Sequence, residues 1–319
     1  MTQQPVAPVA TLAAESITDF KARVRGVVLQ PGDEGYDAAR RVWNGMIDQH
    51  PALIVRCTGP ADVAHAVRFA RSQQLLVAVR GGGHNVAGHA TCEGGLVIDL
   101  SPMKGVWVDP ITQTARAQAG LTWGELDHET QAFGLATTGG LIATTGVAGF
   151  TLGGGIGWLV RRYGLACDNV LAVDLVTADG EMLTASEKEH PDLLWAVRGG
   201  GGNFGIVTSF EFQLHPVGPI VLGGLVLYPA EQAREVLRFY RDFAATAPDE
   251  LTTVAMFLTA PPAPFLPAQL HGTPCIAIAG CYAGDPGEGE RALAPLRAFG
   301  PPAADLFSPL PYTVLQSCL

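Results

Sequence analysis

The segment VAVRGGGHNVAGH, residues 77–89, places three consecutive glycines between a short apolar run and a histidine. The run Val77-Ala78-Val79 predicts a β-strand, because short apolar runs that end at a turn signal are typical of buried strands. Glycine lets the backbone adopt positive φ and approach a ligand closely, at a cost of about 0.5–1 kcal/mol per residue in regular structure. Bare backbone N–H groups in such a loop suit an anion, for example a diphosphate. The segment therefore favours an anion-binding loop that follows a strand and ends at His84.

The composition limits the class of protein. The chain has 319 residues, 48% of them hydrophobic, which predicts two domains that each bury a core. Its 30 acidic residues outnumber its 20 basic ones, and it has no basic stripe of the kind that binds nucleic acid. No apolar run approaches the roughly 20 residues of a membrane span, and no charged region followed by an apolar one marks a signal peptide. We expect a cytoplasmic protein without nucleic-acid or membrane partners.

The cysteines carry no metal-site pattern. None of the six belongs to a CxxC pair or to a cluster with metal-ligand spacing, so no bound metal is expected. In a chain without an export signal, buried free thiols are the expected state. The six are Cys57, Cys92, Cys167, Cys275, Cys281 and Cys318.

Hydrophobic periodicity predicts an α+β fold for the first two-thirds of the chain. Strands are expected at 53–55, 75–79, 96–100, 106–108, 114–119 and from 206 onward, where apolar and polar residues alternate. A helix is expected from Pro60, and a second from a Thr-x-x-Glu capping box at Thr122 to about Phe133. Asp179-Gly180 between two apolar runs predicts a hairpin.

The sequence texture changes after His215-Pro216, where we place a domain boundary. A strand at 221–228, an amphipathic helix from about 233, strands near 252–258 and 275–282 and a helix at 290–299 are expected. A new helix is expected from Pro311, with no C-cap before Leu319, so we expect the second domain to be incomplete. The predicted division is a loose N-terminal tail (1–26), a first domain (27–215) and a partial second domain (216–319).

Three glycine-rich segments are candidate sites: 80–88, 139–158 and 194–212. The third contains G-x-G-x-x-G at Gly200, Gly202 and Gly205, but a dinucleotide-binding fingerprint requires a helix after it and an acidic residue about 20 positions on. An alternating strand follows instead, with Leu225 at that distance, so a nicotinamide site is excluded. No Walker A lysine and no G-x-S-x-G elbow is present. Anion-binding loops and tight turns of a compact fold remain as alternatives.

The order of motifs is similar to that of the PCMH-type, vanillyl-alcohol-oxidase-like FAD flavoproteins, in the branch of berberine bridge enzyme and 6-hydroxy-D-nicotine oxidase. VRGGGHNVAG followed by GGLVIDLSPMKGVWVDP resembles the FAD diphosphate loop of that family. RRYGLACDNVLAVDLVTADGEML, DLLWAVRGGGGNFGIVTSFEFQL and YDAARRVWNGMIDQHPALIVRC extend the resemblance over roughly residues 27–319. It implies a two-subdomain FAD-binding domain, followed by an antiparallel-sheet substrate domain backed by helices.

The resemblance also implies the cofactor contacts. Residues 81–85 would wrap the FAD diphosphate, His84 would be bonded to the flavin 8α-methyl, residues 139–149 and 153–157 would form a second wall, and Ile206-Val207 would meet the adenine end. The implied cofactor-binding residues are Arg80, Gly81, Gly82, Gly83, His84, Asn85, Gly88, Gly139, Gly140, Thr144, Thr145, Gly146, Gly149, Gly153, Gly154, Gly157, Ile206 and Val207.

Three positions depart from the pattern of members with a second, thioether link. Ile142 stands where those members have the cysteine, so His84 is expected to be the single covalent tether. Phe150 replaces a histidine, and Thr145 stands at a position that influences oxygen access to the flavin in the family.

The implied function is oxidation of a small organic substrate at a C–O or C–N bond, with hydride transfer to flavin N5 and then to O2 to give hydrogen peroxide. Tyr163 is a candidate catalytic residue because it lies in a matched motif, with a packed core tyrosine as the alternative. No general base is identified. The alternatives in function are an FAD-binding fragment with little or no turnover, and a dehydrogenase with an acceptor other than oxygen.

Overall fold

A computed structural model describes residues 12–264, 266–300 and 302–318, in which helices and strands mix along the chain as the α+β prediction requires. The strands are β1 (Val27–Leu29), β2 (Leu53–Arg56), β3 (Val77–Arg80), β4 (Leu96–Asp99), β5 (Val106–Asp109), β6 (Thr114–Gln118), β7 (Leu135–Ala136), β8 (Val170–Val176), β9 (Met182–Ser186), β10 (Ile206–Gln213), β11 (His215–Pro216), β12 (Ile220–Pro229), β13 (Leu251–Thr259), β14 (Pro274–Tyr282), β15 (Ala304–Asp305) and β16 (Ser308–Pro311). The α-helices are α1 (Ala14–Arg23), α2 (Tyr36–Arg40), α3 (Pro60–Ser72), α4 (Trp123–Gln131), α5 (Val147–Leu152), α6 (Val160–Tyr163), α7 (Pro191–Val197), α8 (Ala233–Thr246), α9 (Pro286–Ala298) and α10 (Tyr312–Leu315).

The chain forms two compact units, and each unit draws on more than one chain segment. Unit 1 comprises Met1–Leu126, Ala143–Gly155 and Val170–Gln213, of which residues 1–11 lie outside the described part. Unit 2 comprises Asp127–Ile142, Ile156–Asn169 and Leu214–Leu319. The functional boundaries expected at residues 26 and 215 stay a prediction.

The first sheet of unit 1 has the strand order β1-β2-β4-β3, in which β2, β4 and β3 run parallel. Helix α3 connects β2 to the later strands, and its N-terminal Pro60 has the φ that a first helical turn needs. Val63, Ala66 and Ala70 are buried on one helix face, as the predicted periodicity requires. The carboxyl ends of the parallel strands meet at one edge of the sheet, which is where open α/β sheets bind ligands.

The second sheet of unit 1 is antiparallel, with the order β5-β6-β10-β8-β9. The hairpin between β8 and β9 turns at Asp179-Gly180, and Gly180 has a φ of +77°. Strand β10 begins directly after Gly205, so no helix follows the G-x-G-x-x-G segment. This position of β10 confirms that the segment is not a dinucleotide-binding fingerprint.

Unit 2 contains an antiparallel sheet backed by helices. Its strand order is β13-β14-β12-β15, and β16 also pairs with β12. One core forms from the sheet and from α8 and α9, where Val236, Phe243, Leu293 and Leu296 are buried against strand side chains. Strand β14 is buried along nearly its whole length, which its continuous apolar sequence explains.

Sequence and structure differ most at element ends. Residues 14–23 form α1, where a loose tail was predicted, because Phe20 is buried and stacks on Phe69 at 4.3 Å. Helix α9 begins at Pro286, before the predicted 290, since the Asp285 side chain caps it by accepting from Glu288 N. Helix α10 ends at Leu315, so the prediction that this helix has no C-cap before Leu319 is wrong. The predicted tail residues 1–11 lie outside the described residues.

The prediction of buried free thiols is confirmed for Cys57, Cys92, Cys275 and Cys281, and Cys167 is buried as well. Cys318 is free but exposed. Among the residues that the structure describes, no helix has the length and apolar character that a membrane crossing needs.

Candidate cofactor site

Charged residues converge where the parallel strands of unit 1 end. Arg56, Arg80 and Asp99 are the last residues of β2, β3 and β4, and the strand register places both arginines beside Asp99. Asp99 is fully buried and accepts two hydrogen bonds from Arg80, at 3.2 Å from Nε and 2.6 Å from Nη2. Burial alone raises the pKa of Asp99, but the hydrogen bonds and charge of Arg80 and the bonds from Ser101 outweigh it and lower the pKa.

Arg80 also ties the end of helix α2 to this sheet edge. Its Nη1 donates to the backbone carbonyl oxygens of Ala39 and Arg41, the second at 3.2 Å. The guanidinium is thus engaged by Asp99 on one side and by two carbonyls on the other. We conclude that Arg80 shapes the wall of the site, and that its side chain has little hydrogen-bonding capacity left for a ligand.

The glycine loop follows Arg80 and presents unpaired backbone donors. Within the described part of the chain, none of the backbone N–H groups of residues 81–85 donates to a protein acceptor. Gly83 has a φ of +72°, which a residue with a side chain rarely adopts. A Cβ atom on Gly82 would lie 2.3 Å from Gly146 N, so the two loops approach backbone to backbone. Donors without acceptors on such a loop match the requirement of a bound anion.

His84 is held from three sides. Thr144 Oγ1 lies 3.1 Å from its Nε2, and Thr145 Oγ1 lies 3.4 Å from its Nδ1. The indole of Trp43 stacks on the imidazole, with ring centroids 5.3 Å apart and planes inclined by 22°. Burial lowers the pKa of His84, which favours the neutral ring near pH 7.

A cavity of about 680 Å³ opens at this loop, within the size range of small-molecule and cofactor sites. Gly81, Gly82, Gly83, His84 and Thr144 line it. Positive side chains also line the cavity. One of them is Lys104, whose Nζ lies 2.5 Å from Glu125 Oε2. The further charged lining residues are Arg41, Arg56, Arg80 and Asp99, so cations predominate in the wall. The free N–H groups and the positive wall fit the diphosphate of FAD.

Other residues implied for the cofactor site lie in unit 1 but do not line this cavity. Asn85 Oδ1 accepts from His89 N at 3.2 Å, and Gly88, with a φ of +83°, packs against Ile47. Gly149 lies within α5, Gly153 caps its end, and Gly154 follows with a φ of +107°. Ile206 and Val207 begin β10 and pair with β8. The cofactor contacts of these residues stay predictions.

Gly139, Gly140, Gly157 and Tyr163 belong to unit 2. A Cβ atom on Gly157 would lie 1.7 Å from the carbonyl oxygen of Gly139, so these two glycines allow a close backbone approach. Tyr163 stacks on His215, with centroids 3.9 Å apart, and burial raises the pKa of its phenol. A raised pKa disfavours the phenolate that a catalytic base requires. In the described residues, no group of three or more His, Cys, Asp or Glu side chains is placed to hold a metal ion.

Sequence reasoning did not single out the side-chain part of the wall. Trp43, Arg41, Arg56 and Lys104 all line the cavity. Arg41 and Trp43 lie in the segment YDAARRVWNGMIDQHPALIVRC, which carries part of the family resemblance. Their position in this segment was the sequence feature that could have marked them as site residues. Their approach to the glycine loop depends on contacts about 40 residues apart in the chain, for example Trp43 N donating to Gly83 O at 3.1 Å.

Comparison with known proteins identifies relatives of this chain. Residues 51–186 match the FAD binding domain family model. The chain is 37% identical to (R)-6-hydroxynicotine oxidase from Paenarthrobacter nicotinovorans over 88% of its own length and 60% of that protein. It is 36% identical to an FAD-linked oxidoreductase of Dictyostelium discoideum, over 96% of this chain and 65% of the relative. The chain thus spans about three-fifths of the length of these relatives.

Solved structures show the same fold. The crystal structure of 6-hydroxy-D-nicotine oxidase from Arthrobacter nicotinovorans superimposes with a TM-score of 0.84 at 34% identity, and covers 92% of this chain and 63% of that one. Berberine-bridge-enzyme-like protein 1 of Physcomitrella patens has a TM-score of 0.82 at 27% identity over 93% of this chain. The chain therefore belongs to the PCMH-type FAD flavoproteins, in the berberine bridge enzyme-like branch.

Proposed function

We propose that this chain binds FAD through the loop 81–85, carries it on a covalent bond to His84, and serves the oxidation of a small organic substrate at a C–O or C–N bond. The observation that carries the proposal is the row of backbone N–H groups without acceptors, which ends at a histidine held by two hydroxyls and an indole. When bound, FAD supplies the hydride acceptor N5 and passes the electrons to O2, which gives hydrogen peroxide.

The residues of unit 1 bind and orient the cofactor in this proposal. Backbone N–H groups of residues 81–85 donate to the diphosphate, and Arg41 and Arg56 in the cavity wall add positive charge. Arg80 and Asp99 hold the strand ends in register, so the loop is presented by rigid elements. Unpaired donors on a preformed loop bind an anion without a reorganisation cost.

A single covalent attachment is proposed because His84 offers the needed nucleophile and Ile142 does not. A neutral imidazole has a lone pair on one ring nitrogen, and burial of His84 favours the neutral form. Ile142, at the position of the thioether cysteine of other members, has no nucleophilic atom. The bond would join one ring nitrogen of His84 to the flavin 8α-carbon. One C–H bond of the methyl group and the imidazole N–H would break, their two protons would pass to solvent, and the two electrons would stay on the flavin until O2 takes them up as hydrogen peroxide. We therefore expect one such bond from protein to flavin, at His84.

The substrate and electron acceptor are proposed only as classes. Small organic molecules and O2 are supported by the names of the similar proteins, which include 6-hydroxynicotine oxidase and, at 26% identity, a xylooligosaccharide oxidase of Myceliophthora thermophila. An FAD-binding chain with little turnover is the second candidate, favoured by the raised pKa of Tyr163, which disfavours the phenolate of a catalytic base.

Exchange of glycines tests the cofactor loop. Gly82→Ala would force the loops of Gly82 and Gly146 apart, so we expect the flavin content of the purified chain to fall at least tenfold. Gly202→Ala is the matched control, because Gly202 also lies in a glycine-rich segment but has open space around its Cβ position and a φ of −85°. The proposal is contradicted when both variants carry as much FAD as the unchanged chain, measured by flavin absorbance per chain.

The identity of the electron acceptor is tested on the flavin-loaded chain. Substrate candidates are added without oxygen, and bleaching of the flavin absorbance reports hydride transfer. Fast recovery of the colour in air, with hydrogen peroxide formed in equal amount, is expected for an oxidase, whereas slow recovery in air and fast recovery with a quinone or dye indicates a dehydrogenase. Absence of bleaching by every alcohol, sugar and amine tried indicates the binding chain without turnover.

A further inference from the structure

We propose that Trp43, Thr144 and Thr145 are positioning residues that fix the orientation of the His84 imidazole for its bond to the flavin. The inference rests on the proposed function, since it gives a role to the surroundings of the proposed attachment residue. None of the three contributes a bond to the flavin in this account. They act through His84.

The two hydroxyls fix the rotation of the ring about its Cβ–Cγ bond. Thr144 Oγ1 contacts Nε2 and Thr145 Oγ1 contacts Nδ1, so both ring nitrogens have a partner. A hydroxyl donates or accepts, and each tautomer of a neutral imidazole is therefore satisfied by one donating and one accepting threonine. A flip about the Cβ–Cγ bond removes both nitrogens from these partners. The observed orientation is favoured over the flipped one by two hydrogen bonds.

The indole of Trp43 fixes the tilt of the ring. It covers one face of the imidazole, with centroids 5.3 Å apart, while 60% of its own surface remains exposed. The Trp43 segment is attached to the histidine loop at two points: the backbone Trp43 N donates to Gly83 O at 3.1 Å, and the side-chain Nδ2 of Asn44 donates to Val86 O at 2.8 Å. The indole is thus placed by the same loop that carries His84.

The charge of His84 follows from these neighbours. Burial is the cause of its lowered pKa, and no described carboxylate lies within ion-pairing distance of the ring. Trp43 contributes to this burial because it covers a face that water would otherwise reach. Removal of the indole is therefore expected to move the pKa of His84 upward, toward its ordinary value, and to favour the protonated ring, which lacks a free lone pair.

The first test measures covalent attachment against flavin content. Thr144→Val and Thr145→Val remove a hydroxyl at nearly constant volume, and Thr144→Ser and Thr145→Ser restore it. The bond to flavin uses the lone pair of one ring nitrogen, so the threonine on that nitrogen gives up its hydrogen bond, while the threonine on the other nitrogen keeps the ring in place. The valine variant at this second threonine is expected to slow the appearance of acid-stable flavin by roughly fivefold, the effect of one hydrogen bond. Trp43→Ala is expected to slow it by about tenfold and Trp43→Phe much less, since phenylalanine retains a stacking face. Because Trp43 and Thr144 line the cavity, the rate of attachment is expressed per bound flavin, with total flavin absorbance per chain measured for every variant.

The second test is used when the unchanged chain releases all of its flavin in acid. That result would refute the covalent bond of the proposed function. It would leave open whether the three residues fix the orientation of the His84 ring. His84 then titrates in the flavin-bound chain and is followed by proton–carbon NMR of labelled histidine, with His84→Gln to assign the signal. Positioning predicts a pKa below the ordinary value, raised by Trp43→Ala and restored by Trp43→Phe.

The outcomes separate the two claims. Slower attachment per bound flavin, rescued by serine and phenylalanine, supports positioning. Equal attachment rates per bound flavin in all variants overturn it, also where the flavin content itself falls, since that result indicates a binding role alone. In the unlinked chain, a pKa of His84 that is the same with and without the indole overturns it.

Discussion

Replacement of Arg80 by methionine is expected to lower the free energy of unfolding by about 3–5 kcal/mol near pH 7, the effect of leaving a buried charge without its partner. Asp99 is fully buried and receives two hydrogen bonds from Arg80, whereas its other cation, Arg56, lies 3.3 Å away with a half-exposed side chain. The variant also releases the carbonyl oxygens of Ala39 and Arg41. Urea titration of the unchanged and the variant chain measures the difference.

Two controls identify the uncompensated carboxylate as the cause. The double variant Arg80→Met/Asp99→Leu removes both charges and is expected to be more stable than Arg80→Met alone. The penalty of Arg80→Met is also expected to shrink as the pH falls, because the stabilisation from the lowered pKa of Asp99 is present above its unfolded value and lost in acid. Equal stability of the single and double variants would contradict the account.

Replacement of Asp127 by asparagine is expected to stabilise the chain above neutral pH and to leave its stability nearly unchanged at about pH 4. Asp127 lies in unit 2, 1% exposed, with one hydrogen bond, from Gln316 Nε2 at 2.9 Å. Burial raises the pKa of Asp127 to about 7, against an unfolded value of about 3.9. Because the folded pKa is raised, protonated Asp127 contributes its full stabilisation below about pH 4. As the pH rises through 7 this contribution is lost, and the free energy of unfolding falls by roughly 4 kcal/mol.

Asparagine retains the shape and the acceptor for Gln316 but has no proton to lose. Its Nδ2 is also a donor beside two buried groups that lack a hydrogen-bond partner in the described residues, Tyr312 OH and Gln316 Oε1. Stability is measured by urea titration from about pH 4 to pH 8, and the difference between variant and unchanged chain is expected to grow along this range and to level off above about 7. A constant difference across the range would show that Asp127 does not titrate there.

The elements with strong local signals were predictable. The Asp179-Gly180 turn, the proline at the start of α3 and the alternation of β10 each express a local backbone preference, and each is present. The capping box at Thr122 is half confirmed: Thr122 N donates to Glu125 Oε2 at 2.8 Å, while the Thr122 hydroxyl bonds the same carboxylate at 3.0 Å. Local signals therefore located most elements but not all of their ends.

The site was predictable only as a loop. Glycines 81–83 and His84 were identifiable from their order, but the stacking of Trp43 and the bonds of Thr144 and Thr145 join positions 41 to 61 residues apart. The Asp127–Gln316 bond spans 189 residues. Such contacts follow from the packing of whole elements, so no local sequence pattern contains them.

The attachment of flavin to His84 is the central claim, and acid precipitation followed by peptide mass analysis tests it most directly. We predict a yellow pellet and, after digestion, one flavin-bearing peptide that contains His84, with the peptide of Ile142 unmodified. His84→Gln should bind FAD and yield a colourless pellet. A colourless pellet from the flavin-loaded unchanged chain, or a flavin on any other residue, would contradict the account.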